Sequence, residues 1–179
     1  SAADLPKAIK NHATSKIQTI EDLQQSFSLG FRGEALASIA AVSKMEITSR
    51  KQNSLAATKI TVEAGVIQDT TEEAAPVGTS IIVRELFFNT PARKKFLKSY
   101  RLEVDKIFDL VYHISLCRPD ISFILQNEGK TVFKSPGQGD LAGVALAIYG
   151  GKTAKNFLPV HFTEEDISLE GLISLPVLT

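Results

Sequence analysis

The segment Gly30-Phe31-Arg32-Gly33-Glu34-Ala35-Leu36 constrains the fold of this chain more than any other. Two glycines flank a short loop that runs straight into a helix, predicted over 34–43, made of small and apolar residues such as Ala35, Leu36, Ala37, Ile39 and Ala40. A helix apolar nearly all round has to lie in a core, so the loop before it is held against a buried element. Glycine at 30 and 33 lets the backbone close on an anion where a side chain would obstruct it. Free amides and the positive end of the helix dipole make such a junction a place where phosphate oxygens bind. A bare G-x-x-G is equally compatible with an ordinary helix-entry turn.

The remaining periodicity predicts an α/β chain. Short helical stretches are expected over 5–11 and 20–27, and beyond residue 43 the period changes from helical to two. Strands follow over 44–50, 58–63 and 79–84, with Ala64-Gly65 as a turn between strands. Asn89 or Thr90 suits an N-cap with Pro91 near the first helical position, and a helix over 102–117 ends at Arg118-Pro119. Asn127-Glu128-Gly129-Lys130 joins strands 121–126 and 131–134 as a hairpin. A helix over 140–149 closes at Gly150-Gly151, and the last segment runs strand, acidic turn, strand. This places one domain over 1–150 and the start of a second over 151–179.

At 179 residues the chain is long enough for one domain and part of another. Its 20 basic residues cancel its 20 acidic ones, which excludes overall charge as the means of reaching nucleic acid or anionic lipid; such a contact needs a local patch. The best candidate is Arg93, Lys94, Lys95, Lys98 and Arg101, five cations with no acid between them, from which Lys95 and Lys98 are selected as DNA-contacting residues. The same run also fits a solvated helix face. A single cysteine, Cys117, excludes an intrachain disulfide or a cysteine-based metal site and fits a reduced, intracellular setting. No apolar run approaches the roughly 20 residues that span a bilayer. The chain opens with Ser1, and its only methionine is Met45, as expected of an excised fragment.

Two further segments offer donors. Asn11-His12-Ala13-Thr14-Ser15-Lys16 supplies hydroxyls, backbone amides and the point charge of Lys16, although the same residues can simply cap a helix end. Pro76-Val77-Gly78-Thr79 is a turn feeding a β-branched strand, from which Thr79 could reach a buried polar ligand. Gly151-Lys152-Thr153 imitates the end of a Walker A loop, but Leu146 stands where the first glycine belongs. His12, His113 and His161 lack ligand spacing, and no metal site is expected from them.

Taken together, Asn11–Ile17, residues 28–39, Val77-Gly78-Thr79 and the block from Phe87 to Leu97 resemble the N-terminal ATPase region of the MutL DNA mismatch-repair proteins, in family order and spacing. The resemblance implies the ATP-binding fold shared by gyrase B, the heat-shock chaperone and histidine kinases, a mixed sheet backed by helices. A ribosomal-protein-S5-like second domain would follow. It also implies that Gly30, Phe31, Arg32, Gly33, Glu34, Ala35 and Leu36 wrap nucleotide phosphates, that Thr14, Ser15 and Lys16 form a second part of the nucleotide lid, and that Thr79 lies near the adenine. ATP with Mg2+ is the implied cofactor of the intact protein. The implied partners are DNA bound non-specifically, a mismatch-recognition protein, and a second copy or a paralogue in a dimeric clamp. The setting would be cytoplasmic in a bacterium and nuclear in a eukaryote.

The family's general-base glutamate, its magnesium-binding asparagine and its adenine-reading aspartate lie upstream of the His12-Ala13-Thr14 block, and none occurs in this sequence. No catalytic residue is therefore assigned, and ATP hydrolysis is expected of the parent rather than of this chain alone. Glu34 is expected to complement the helix dipole or pair with Arg32 rather than act as a substitute base. The alternative is a nucleotide-independent DNA- or protein-binding module derived from the same family.

Overall fold

Alternation in the first strands puts one side of a sheet against a core. In the computed structural model, which describes residues 4–17, 19, 22, 30, 32–165 and 167–176, strand β1 (Lys44–Arg50) lies between β2 (Ala57–Glu63) and β4 (Gly78–Arg84), with β3 (Val66–Glu73) outside β2. All three pairings are antiparallel. Met45 and Ile47 of β1 and Ile60 and Val62 of β2 are fully buried, two residues apart on each strand as the pleat requires. A single 3-10 turn, Leu5–Lys7, and helix α1 (Ala35–Ala40) cover them through Leu5, Ile9, Leu36 and Ala40.

Helix α1 ends three residues before the expected position, and the reason is tertiary. The carbonyls of four successive residues each accept from a different part of the chain. Ala40 takes the Gly65 amide at 2.8 Å, Ala41 the Asn89 side-chain amide at 2.9 Å, Val42 the Phe87 amide at 2.7 Å and Ser43 the Ala64 amide at 3.2 Å. Carbonyls left over at a helix end need such partners. Here the partners are the β2–β3 turn and the segment before helix α2 (Pro91–Lys95), so continuing the helix would forfeit them. Asn89 is consequently a brace for α1. Thr90 holds the N-cap of α2 without a side-chain cap bond, followed by Pro91 in the first turn.

The expected helix over 5–11 is only the 3-10 turn. Most of 20–27 lies outside the described residues; Thr19 and Asp22 exchange reciprocal hydrogen bonds of 3.0 and 3.2 Å, as in a capping box. Strand β3 is polar and mostly exposed, a sheet edge without the apolar alternation that marks β1 and β2.

The described residues divide into two compact units between Leu97 and Lys98. The second contains helix α3 (Tyr100–Cys117), the hairpin β5 (Ile124–Asn127) and β6 (Lys130–Lys134), helix α4 (Leu141–Ala154), and the hairpin β7 (Phe157–Glu164) and β8 (Ile167–Ser174). Glu128 and Gly129 both have positive φ, which makes the β5–β6 connection the tight turn that the sequence calls for. Asp140 caps α4 by accepting from the amides of Ala142 and Gly143. Gly150, at φ 74°, breaks that helix as expected, but a further helical turn follows it, and this break lies within the second unit.

Candidate functional site

Two segments of the first unit meet in antiparallel order and enclose a cavity of about 280 Å³. Its lining includes Thr14, Ser15 and Lys16 from one segment and Gly30, Gly33, Glu34, Ala35 and Leu36 from the other. The closest approach is between backbones. A Cβ on Gly33 would stand 2.6 Å from the Ala13 carbonyl oxygen and 2.9 Å from the Ala13 nitrogen, and Gly33 has φ +65°. Glycine is required there on both counts. Gly30, at φ +78°, has more room, and the Lys16 ammonium lies 3.4 Å from where its Cβ would be. The Lys16 amide donates to Thr14 Oγ1 at 3.2 Å, which fixes the turn that presents these residues.

Glu34 stands at the N-cap of α1 without a side-chain cap bond. Its carboxylate is shared instead: Oε2 meets Arg32 Nε at 2.7 Å and Oε1 meets His12 Nδ1 at 3.2 Å. The pairing with Arg32 is one of the two roles expected from the sequence. The His12 contact is not legible there, because it depends on the fold bringing residues 22 apart into register.

The other selected residues fall elsewhere. Phe31 lies outside the described residues. Thr79 does not line this cavity; its hydroxyl is 2.9 Å from that of Ser49 on the neighbouring strand. Lys95 ends α2 in the first unit, whereas Lys98 opens the second, where its amide donates to Glu103 Oε1. Arg93, Lys94 and Lys95 are exposed and have no ion-pair partner among the described residues. The second unit has a hollow of about 680 Å³ lined in part by Cys117, Asp140, His161 and Glu170. Asp140 is occupied as a helix cap, and no group of three or more potential ligands among the described residues is placed to hold a metal ion.

Comparison with known proteins gives a consistent result, although no family model matches the chain. The DNA mismatch repair protein MutL of Desulforamulus reducens is 44% identical over 178 residues, which are 99% of this chain and 28% of that protein. The protein of the same name from Lactococcus lactis subsp. cremoris is 46% identical over 176 residues, 98% of this chain and 27% of that protein. Among solved structures, the Aquifex aeolicus MutL ATPase domain complexed with ADP superposes with a TM-score of 0.70 at 32% identity, covering 88% of this chain and 60% of that one. The chain thus spans a little over a quarter of the length of the curated relatives it matches.

Proposed function

This chain belongs to the MutL family of DNA mismatch repair proteins, and from that premise we propose that it is the phosphate-binding portion of a nucleotide-driven repair clamp. The observation that carries the reading is the glycine-walled cavity between 13–16 and 30–36. The donors there are of the kind phosphate needs: backbone amides that glycine leaves accessible, hydroxyls of Thr14 and Ser15, and the Lys16 ammonium. A similar ATPase domain was solved with ADP, which supports nucleotide as the ligand.

Within the intact protein, ATP with Mg2+ would supply the anionic charge that these segments enclose, and Thr79 would lie toward the adenine. Enclosure can drive dimerisation of the clamp, and signalling to a mismatch-recognition partner, only through a higher affinity of nucleotide for the closed state. No residue of this chain is assigned as the base that activates water. Glu34, the carboxylate at the cavity, is already engaged by Arg32 and His12, and a base must be free to take a proton. The setting that goes with this reading is intracellular.

Calorimetric titration with a non-hydrolysable ATP analogue and Mg2+ tests it. Binding by the chain that is weakened at least about tenfold in Gly33→Asp is expected, because the side chain collides with Ala13 and adds a negative charge. No binding, or binding indifferent to that substitution, would favour the nucleotide-independent module.

Exposed Arg93, Lys94 and Lys95 support non-specific DNA contact as a second property, with Lys95 and Lys98 as its selected residues. Changing both to Ala should lower the slope of log affinity against log salt by about 2. An unchanged slope would remove them.

A further inference from the structure

The contacts between 12–16 and 30–34 form an ordered series. Lys16 lies at Gly30, Ala13 packs on Gly33, and His12 meets Glu34. The middle contact is backbone on backbone and holds the two segments close. The outermost contact is different in kind. One carboxylate divides its oxygens between Arg32 of its own loop and His12 of the other segment. His12 has φ 61°, a conformation uncommon for a residue other than glycine although better tolerated by His than by most, and this is where the chain turns into the Ala13 contact. The Nδ1 atom can donate to Glu34 from either a neutral or a protonated ring, so the contact does not depend on the charge of the imidazole.

We propose that Glu34 is a positioning residue, a clasp that sets the register of segment 12–16 against Arg32-Gly33-Glu34. Its consequence for the ligand rests on the nucleotide reading above: the clasp would hold the amides and Lys16 in place before phosphate arrives, so that less ordering remains to be done on binding. Glu34 acts through His12 and Arg32 and touches no reacting atom.

Amide hydrogen exchange on the 179-residue chain, with strands β1 and β2 as the internal standard of folding, tests the clasp without a ligand. Glu34→Ala should raise exchange in 12–16 and in 32–36 together. His12→Ala, at an exposed position, should reproduce the rise in 12–16, and the double variant should add little to Glu34→Ala alone, as expected of partners in one contact. The affinity for the non-hydrolysable ATP analogue should fall roughly 2- to 5-fold in either single variant, the range for exposed ion pairs. Faster exchange confined to 32–36 in Glu34→Ala, or tighter binding of the analogue, would overturn the proposal. No binding of the analogue by the wild-type chain, together with the paired rise in exchange in Glu34→Ala, would remove the nucleotide reading and leave the clasp standing.

Discussion

Ile47 has an isoleucine on either side of it in the sheet, and the two differ in exposure. Ile60 of β2 is 0% exposed, whereas Ile81 of β4 is 44% exposed, although both are register partners of Ile47 and share its face. Alternation in sequence decides which face of a sheet a side chain occupies. It does not decide whether that face is covered. Cover comes from Leu5, Ile9, Leu36 and Ala40, which pack against the buried cluster of β1 and β2. All seven residues of β4 are exposed, and its hold on the unit is the β1 ladder together with contacts of its side chains. On the opposite face, Glu73, Lys59, Glu46 and Arg84 form a chain of ion pairs that crosses all four strands and takes in β4.

The largest effect should separate the two isoleucines. Ile60→Ala is expected to cost about 2–5 kcal/mol by urea unfolding, since it opens a cavity in a packed cluster. Ile81→Ala should cost about 1 kcal/mol or less, because much of that side chain is already in water. Equal costs would break the comparison and mean that the β4 face is covered in solution. Self-association through exposed Ile81 and Val83, which share the face of Ile47 and Met45, is one way to cover it, and the cost would then depend on protein concentration.

What was legible in the sequence follows the same division. Gly30, Gly33 and the Thr14-Ser15-Lys16 group each carry a local signal, conformational freedom or donor chemistry, but it was the family resemblance that put them at one site, and they line one cavity. Strands β1, β2 and β4 and the Gly129 turn were legible from period and punctuation. The end of α1 was not, since its stopping point is set by Gly65, Phe87 and Asn89, which arrive from later in the chain. The His12 contact with Glu34 was hidden for the same reason, and the bounds of β3 were obscured by the polarity proper to an edge strand.

The smallest effect concerns the charged face. Hydrogen bonding from Lys59, then from Arg84, holds the Glu46 carboxyl below the ordinary range for glutamate. A carboxyl whose folded-state pKa is depressed binds protons more weakly in the native state than in the unfolded chain. Its contribution to stability is therefore complete above the ordinary glutamate pKa and is lost as pH falls from there through the lowered value. If that contact holds β4 in a way the core does not, acid should raise amide exchange in β4, measured relative to the intrinsic rate at each pH, before it does so in β2. Glu46→Gln should show the faster β4 exchange already at neutral pH and lose most of the acid-induced change. Exchange rising equally in both strands would mean that β4 depends on the common ladder alone, and that Glu46, 28% exposed and bridging two cations, is a surface contact with little hold on the edge.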